Sequence, residues 1–236
     1  VGQSESMSKS KKNTIDPEKI INNYGADAVR LFILSDSPPE KDVQWSDEGI
    51  ASSHKFIQKI WSLHLEIKKK IHENFSGKQE DNLTVYTNKF IKNITHNLEN
   101  FSYNIIIANM HEMYSFFYKE IKKNYNANTL IDNYKKILIS LIPIIPHLAY
   151  EAMDSLNQNK EINWPSYDET ILIEKVIPFI IQVNGKKRGL INADRDITEV
   201  KLLEIIMNYP QINKYFENKN IKKKIFIKNK FLNIII

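Results

Sequence analysis

Residues 46–71 read SDEGIASSHKFIQKIWSLHLEIKKKI. Apolar or neutral positions recur there at Ile50, Ile57, Ile60, Trp61, His64, Ile67 and Ile71, the three-and-four spacing that lines up one face of an α-helix. Ser46 offers an N-cap oxygen, Asp47 and Glu48 place negative charge at the positive end of the helix dipole, and Gly77 lies beyond the expected end. A stripe this long needs apolar partners, and the next segments repeat its period. One runs through Leu83, Tyr86, Phe90, Ile94 and Leu98, and another through Ile106, Met110, Met113, Phe117 and Ile121. A fourth helix is expected over 130–141, and a fifth over 146–156, begun by Pro146, whose missing N–H costs nothing at a first helical position. Residues 46–157 therefore predict an antiparallel helix bundle.

Beyond a polar stretch at 157–164, the best linker candidate, the period changes from helical to alternating. Ile177, Phe179, Ile181 and Val183 alternate, Asn184-Gly185 is a strong type I′ hairpin signal, and 186–191 can return as a second strand. Asp196 is expected to cap a helix over 197–208 that ends before Pro210. Two short strands, 221–227 and 231–236, complete the chain, separated at Asn229-Lys230. The predicted class is mainly α, with the helical bundle followed by a small α+β domain of ββαββ order.

The composition agrees with this division. The chain has 236 residues, 42% of them hydrophobic, a globular proportion, and only six glycines and eight prolines, too few turn formers for a many-stranded sandwich. With no cysteine, disulfides, thiol nucleophiles and Cys-ligated metal are excluded. The longest apolar run, 137–146, is well short of the roughly 20 residues a membrane-spanning helix needs. Residues 1–13 lack the apolar core of a signal peptide, and because Val1 is not Met the chain is expected to begin inside a longer protein. The net charge of +5 is unevenly spread. Residues 175–236 hold 13 Lys+Arg against 5 Asp+Glu, whereas 1–174 hold 20 against 23. That asymmetry suggests a polyanion-binding module ahead of the bland alternative, a composition bias toward Lys, Asn and Ile.

Chemistry concentrates in the string Ser6-Met7-Ser8-Lys9-Ser10-Lys11-Lys12-Asn13. Its hydroxyls and ammonium groups can follow phosphate oxygens and neutralise charge on a leaving group; taken alone, it fits a solvated terminus better. The string resembles the KMSKS loop of class I aminoacyl-tRNA synthetases. Thr14-Ile15-Asp16-Pro17 with Tyr24-Gly25-Ala26-Asp27-Ala28-Val29-Arg30-Leu31 is similar to the segment after that loop in the leucine, valine, isoleucine and methionine enzymes. Asp16, Pro17 and Gly25 also make sense locally, as N-cap, first residue and stop of a short helix. Within that group the stretch 38–49, PPEKDVQWSDEG, resembles bacterial-type leucyl-tRNA synthetases. Pro146-His147-Leu148-Ala149, Trp164-Pro165-Ser166-Tyr167-Asp168 and Val183-Asn184-Gly185-Lys186-Lys187-Arg188-Gly189 resemble them too, in the family's order.

The resemblance implies four parts: 1–45, the loop and the end of the catalytic domain; 46–160, a class Ia anticodon-binding-type bundle; 161–174, a linker; and 175–236, a tRNA-binding domain. It implies ATP-dependent activation of leucine and transfer to leucine tRNA, with ATP and Mg2+ required, by a cytoplasmic monomer that does not enter a membrane. Lys9 matches the second motif lysine, which stabilises the adenylate-forming transition state and contacts ATP, with Met7, Ser8 and Ser10 beside it in the loop. The position of the first motif lysine is held by Ser6, and Lys11 or Lys12 could partly replace the missing charge. The family's HIGH motif, leucine pocket and editing domain precede the loop, so the fragment alone is expected to be inactive. Lys186, Lys187, Arg188, Lys222, Lys223 and Lys224 are the candidate tRNA contacts, forming one basic face if their strands are neighbours. Lys222 to Lys224 fit an edge strand guarded against aggregation equally well. A synthetase-derived RNA-binding protein without catalysis is the alternative reading.

Other motifs give little. His111-Glu112 begins like a zinc-protease helix, but Ser115 stands where the second histidine is needed, so no metal site is expected. His64 and His147 are expected to pack or cap, and the aromatic run 114–118 to fill the bundle.

Overall fold

A computed structural model describes residues 5–35, 38, 40–77, 81–158, 162–173, 175–216 and 219–236. Val1, Pro39 and the linker positions 159–161 and 174 lie outside the described residues. The chain divides into two compact units, Val1–Leu172 and Ile173–Ile236.

The first unit is helical. After the loop come α1 (Pro17–Tyr24) and α2 (Ala26–Ser35), then the bundle helices α3 (Asp47–His72), α4 (Asp81–Glu99), α5 (Tyr103–Glu120), α6 (Ala127–Leu141) and α7 (Pro146–Ser155). Ser46 caps α3 as its chemistry requires, its side chain accepting from the Gly49 N–H at 3.1 Å. Asp16 caps α1, and Gly25, at φ +84°, ends it in a conformation that L side chains rarely adopt. The main core joins α2 to α7 through residues such as Leu31, Ile60, Ile94, Met110, Phe117 and Ile137. The buried face of α3 is wider than the stripe expected of it, taking in Phe56 and Leu63 as well. Its first turn serves a second cluster, where Ile50 meets Ala28 and Phe32 of α2.

One expectation changes here. No separate helix is predicted after Gly25, yet α2 is a full one that buries Ala28, Leu31 and Phe32. Between the bundle and the second unit, much of the described part of 161–174 is held along α4. The Trp164 indole N–H donates to Thr95 Oγ1 at 2.9 Å, the Asp168 N–H donates to Asn88 Oδ1 at 2.7 Å, and Lys92 pairs with Glu169 at 2.9 Å.

The Thr87 hydroxyl of α4 is buried with no hydrogen-bond partner among the described residues. Thr87→Val keeps the side chain's shape and removes that desolvated group, which is expected to stabilise the unit by about 1 kcal/mol. Thermal melts of the two proteins check this, with a rise of about 2–4 °C expected.

The second unit pairs β1 (Val176–Val183) with β2 (Lys186–Asp194), continues through α8 (Glu199–Met207) and α9 (Pro210–Asn213), and closes with β3 (Lys223–Ile227) and β4 (Phe231–Ile235). Asn184 and Gly185 both take positive φ, 48° and 76°, as the expected type I′ turn requires. The sheet order is β2-β1-β4-β3, with β4 parallel to β1 and the other neighbours antiparallel. One sheet face buries Phe179, Ile181, Ile191, Leu232 and Ile234 against Leu202, Ile206 and Ile212 of the helices. The expected cap Asp196 is not the cap. It sits at φ +66° and exchanges hydrogen bonds with Asn229, while Thr198, in extended backbone, accepts from the Lys201 N–H. Pro210 starts α9 rather than only ending the helix before it.

Candidate functional site: a cationic loop and a basic sheet edge

The loop over 6–13 is folded back on itself. The Asn13 side chain accepts from the Ser8 N–H at 2.8 Å and donates to the Ser6 carbonyl at 3.3 Å, clasping the two ends. Between them the Lys11 and Lys12 N–H groups donate to the Ser8 and Lys9 carbonyls, both at 3.2 Å, and the hydroxyls of Ser8 and Ser10 are 3.2 Å apart. Lys12 holds φ +54°, a conformation that costs a non-glycine residue about 1 kcal/mol. This turn leaves Met7, Lys9 and Ser10 exposed and Ser8 half-buried. Lys11 meets Glu5 at 3.3 Å in an exposed pair of little energetic weight, so its charge remains available to an anion. The geometry can present ammonium groups and hydroxyls to a polyphosphate from one short turn. Asn13 is not among the expected site residues, and only its return contacts reveal its part.

The six basic positions of the second unit do not lie on neighbouring strands. Lys186, Lys187 and Arg188 lie on β2 and Lys223 and Lys224 on β3, which are opposite edges of the sheet; Lys222 precedes β3. The condition for a single basic face therefore fails, because β1 and β4 lie between the two runs. Lys224 is also engaged by Glu199 at 3.0 Å. At the other edge a bulge opposite Ile181 and Gln182 leaves Arg188 unpaired in the ladder, and its guanidinium lies over the Tyr215 ring, 4.2 Å from the centroid. Lys214 approaches the same ring at 5.3 Å. Lys214 and Tyr215 are legible only from the fold, since α9 brings them to β2. Gly189 permits that approach: a Cβ there would come within 2.6 Å of Ile212 Cδ1.

Three histidines pack against other elements or cap one. His64 is fully buried, its ring nitrogens 3.2 Å from Tyr134 Oη and 2.9 Å from Ser155 Oγ. Burial, with a smaller contribution from Lys68, pushes its pKa down to about 4. His111 stacks on Phe56 with centroids 3.8 Å apart, and Ser115 donates to the His111 carbonyl. His147 Nδ1 lies 2.9 Å from Asp27 Oδ1. In the aromatic run, Phe117 is buried and Phe116 stacks on Tyr86 at 3.7 Å. Among the described residues, no group of three or more His, Cys, Asp or Glu could hold a metal ion.

Residues 80–204 match the model of the anticodon-binding domain of tRNA ligases. The chain belongs to that family. As a member of the anticodon-binding family it also carries, at residues 2–46, a match to the class I tRNA synthetases for I, L, M and V. The folded loop lies within that match. A leucine–tRNA ligase of Orientia tsutsugamushi (strain Boryong) is 39% identical over 245 residues, covering 100% of this chain and 28% of that protein. The leucine–tRNA ligase of Prochlorococcus marinus (strain MIT 9515) is 34% identical, covering 98% of this chain and 28% of that protein. The chain thus spans little more than a quarter of these relatives. Its fold is also similar to part of a LeuRS from Agrobacterium radiobacter K84, solved in a ternary complex with tRNA and LeuAMS. The TM-score is 0.78 at 19% identity, over 97% of this chain and 30% of that one.

Proposed function

We propose that this chain is the C-terminal part of a leucine–tRNA ligase, supplying the loop used in leucine activation and the domains that hold leucine tRNA. The observation that carries this reading is the compact cationic loop within a segment similar to class I synthetases, in a chain whose relatives are leucine–tRNA ligases along its whole length. In this reading the parts are 1–45 for activation, 46–160 and 175–236 for tRNA, and 161–174 between them. The parent protein acts as a cytoplasmic monomer on leucine, ATP and leucine tRNA.

The chemistry has two steps. A leucine carboxylate oxygen forms a bond to the α-phosphorus of ATP as the bond to the β-phosphate oxygen breaks, releasing pyrophosphate. The terminal ribose hydroxyl of the tRNA then attacks the leucyl carbonyl, and AMP leaves. Lys9 is the group proposed to meet the charge that grows on pyrophosphate, with Met7, Ser8 and Ser10 shaping the turn that presents it. An ammonium placed there stabilises the transition state more than bound ATP and so raises the rate.

Leucine-dependent ATP–pyrophosphate exchange by the parent protein tests the reading. Exchange with leucine alone supports it; exchange with another amino acid refutes the leucine assignment, and tRNA binding without exchange favours the non-catalytic alternative.

In the second unit, Lys186, Lys187 and Arg188 are proposed to meet tRNA phosphates at one sheet edge, and Lys222 and Lys223 at the other, with Lys224 contributing less because Glu199 pairs with it. Replacing Lys186 and Lys187 with alanine in the parent protein is expected to reduce the slope of log affinity against log salt by about 1.5. Titrations of tRNA binding at several salt concentrations check it.

A further inference from the structure

Helix α7 begins with Pro146 and an N-cap, Ile145, that has no side-chain cap. Its first free donors, the His147 and Leu148 N–H groups, are instead satisfied by Asp27 of α2, at 3.3 Å to Oδ1 and 2.7 Å to Oδ2. One turn further along α2, Arg30 donates from Nε to the Ile144 carbonyl at 3.0 Å and from its terminal nitrogen to the Pro143 carbonyl at 2.6 Å. The carboxylate thus holds the positive end of α7, and the guanidinium holds the carbonyls of the corner before it. The two side chains grip one corner of the bundle with opposite charges.

The loop depends on what α2 holds. Helix α1, which comes directly after the loop, buries no residue outright. It rests on α2 and α3 through partly buried Ile20 and Tyr24, with His54 Nδ1 2.8 Å from the Tyr24 carbonyl. We infer that Asp27 and Arg30 are positioning residues for Lys9: by fixing α2 on the 143–148 corner, they fix α1 and with it the clasped turn. This rests on the proposed activation of leucine. A misplacement of about 1 Å can cost about 100-fold in such a step.

The test is a double-mutant cycle in the parent protein, read by leucine-dependent ATP–pyrophosphate exchange. Asp27→Ala is expected to lower kcat by about 10- to 100-fold with KM for leucine within about twofold, and to lose less than about twofold more when Lys9 is already alanine. Asp27→Asn, which keeps one of the two acceptor oxygens but loses the charge and the second acceptor, is expected to recover only part of the rate. An unchanged kcat, or the same loss with and without Lys9, would overturn the inference, the latter marking a merely structural role. If Asp27→Ala does not fold, Arg30→Ala, at a position whose side chain is exposed, carries the same cycle and is judged by the same outcomes. A parent protein without leucine exchange overturns the functional reading and this inference together, whereas full exchange in the wild type and in folded variants overturns this inference alone.

Discussion

Lys9→Ala in the parent protein is expected to lower leucine-dependent ATP–pyrophosphate exchange by about 10²- to 10³-fold, the usual cost of removing one donor that acts on transition-state charge. The effect should fall on kcat, because the proposed partner of Lys9 is charge that develops as pyrophosphate departs rather than charge already present in bound ATP. Local structure favours a clean result. Lys9 is exposed, and the turn is closed by Asn13, Ser6 and Ser8 through contacts that do not use the lysine side chain. Truncation therefore removes an ammonium group without dismantling the loop. Steady-state kinetics with leucine and ATP varied separately would show the split. A rate within about threefold of wild type would place the charge elsewhere, with Lys11 and Lys12 the next residues to replace.

Acid is expected to destabilise the helical unit, because of His64. Its ring is buried between Trp61 and Tyr134 and hydrogen-bonded to Tyr134 and Ser155. The folded pKa is lowered from 6.5 to about 4, so the unfolded chain takes up a proton more readily than the folded one. The contribution to stability is whole above about pH 6.5 and is lost as the pH falls toward 4. The difference has a ceiling of about 3 kcal/mol, nearer ~2 with screening by solvent beyond half-buried Ser155. Urea unfolding followed between about pH 7.5 and about pH 4.5 measures it. His64→Gln, which cannot be protonated in this range, should flatten the profile even though it lowers stability at neutral pH. An unchanged slope in that variant would assign the acid sensitivity to other groups.

Features set by neighbours along the chain are legible directly. The cap at Ser46, the stop at Gly25, the stripes of α4 and α5 and the turn at Asn184-Gly185 each depend on residues within a few positions. The loop is legible for the same reason, as a contiguous string with its own flanks. The Asp196 expectation fails because Asn229, 33 positions away, claims that side chain and leaves Thr198 to cap α8. Helix α2 is not legible because only Gly25 separates it from α1, so its apolar positions read as a continuation of the motif around Gly25.

The amino-acid sequence by itself determined the helical and alternating periods, the local caps and turns, and the chemical character of the loop. Each arises from backbone preferences and side chains that meet within a turn or two. Tertiary structure alone decided that β1 and β4 separate the two lysine runs, that Arg188 rests on Tyr215, and that Asp27 caps a helix 121 residues away. Such pairings carry no local signal. They form only when burial of a shared core offsets the entropy of bringing distant segments together, and the partner is then set by which elements pack as neighbours.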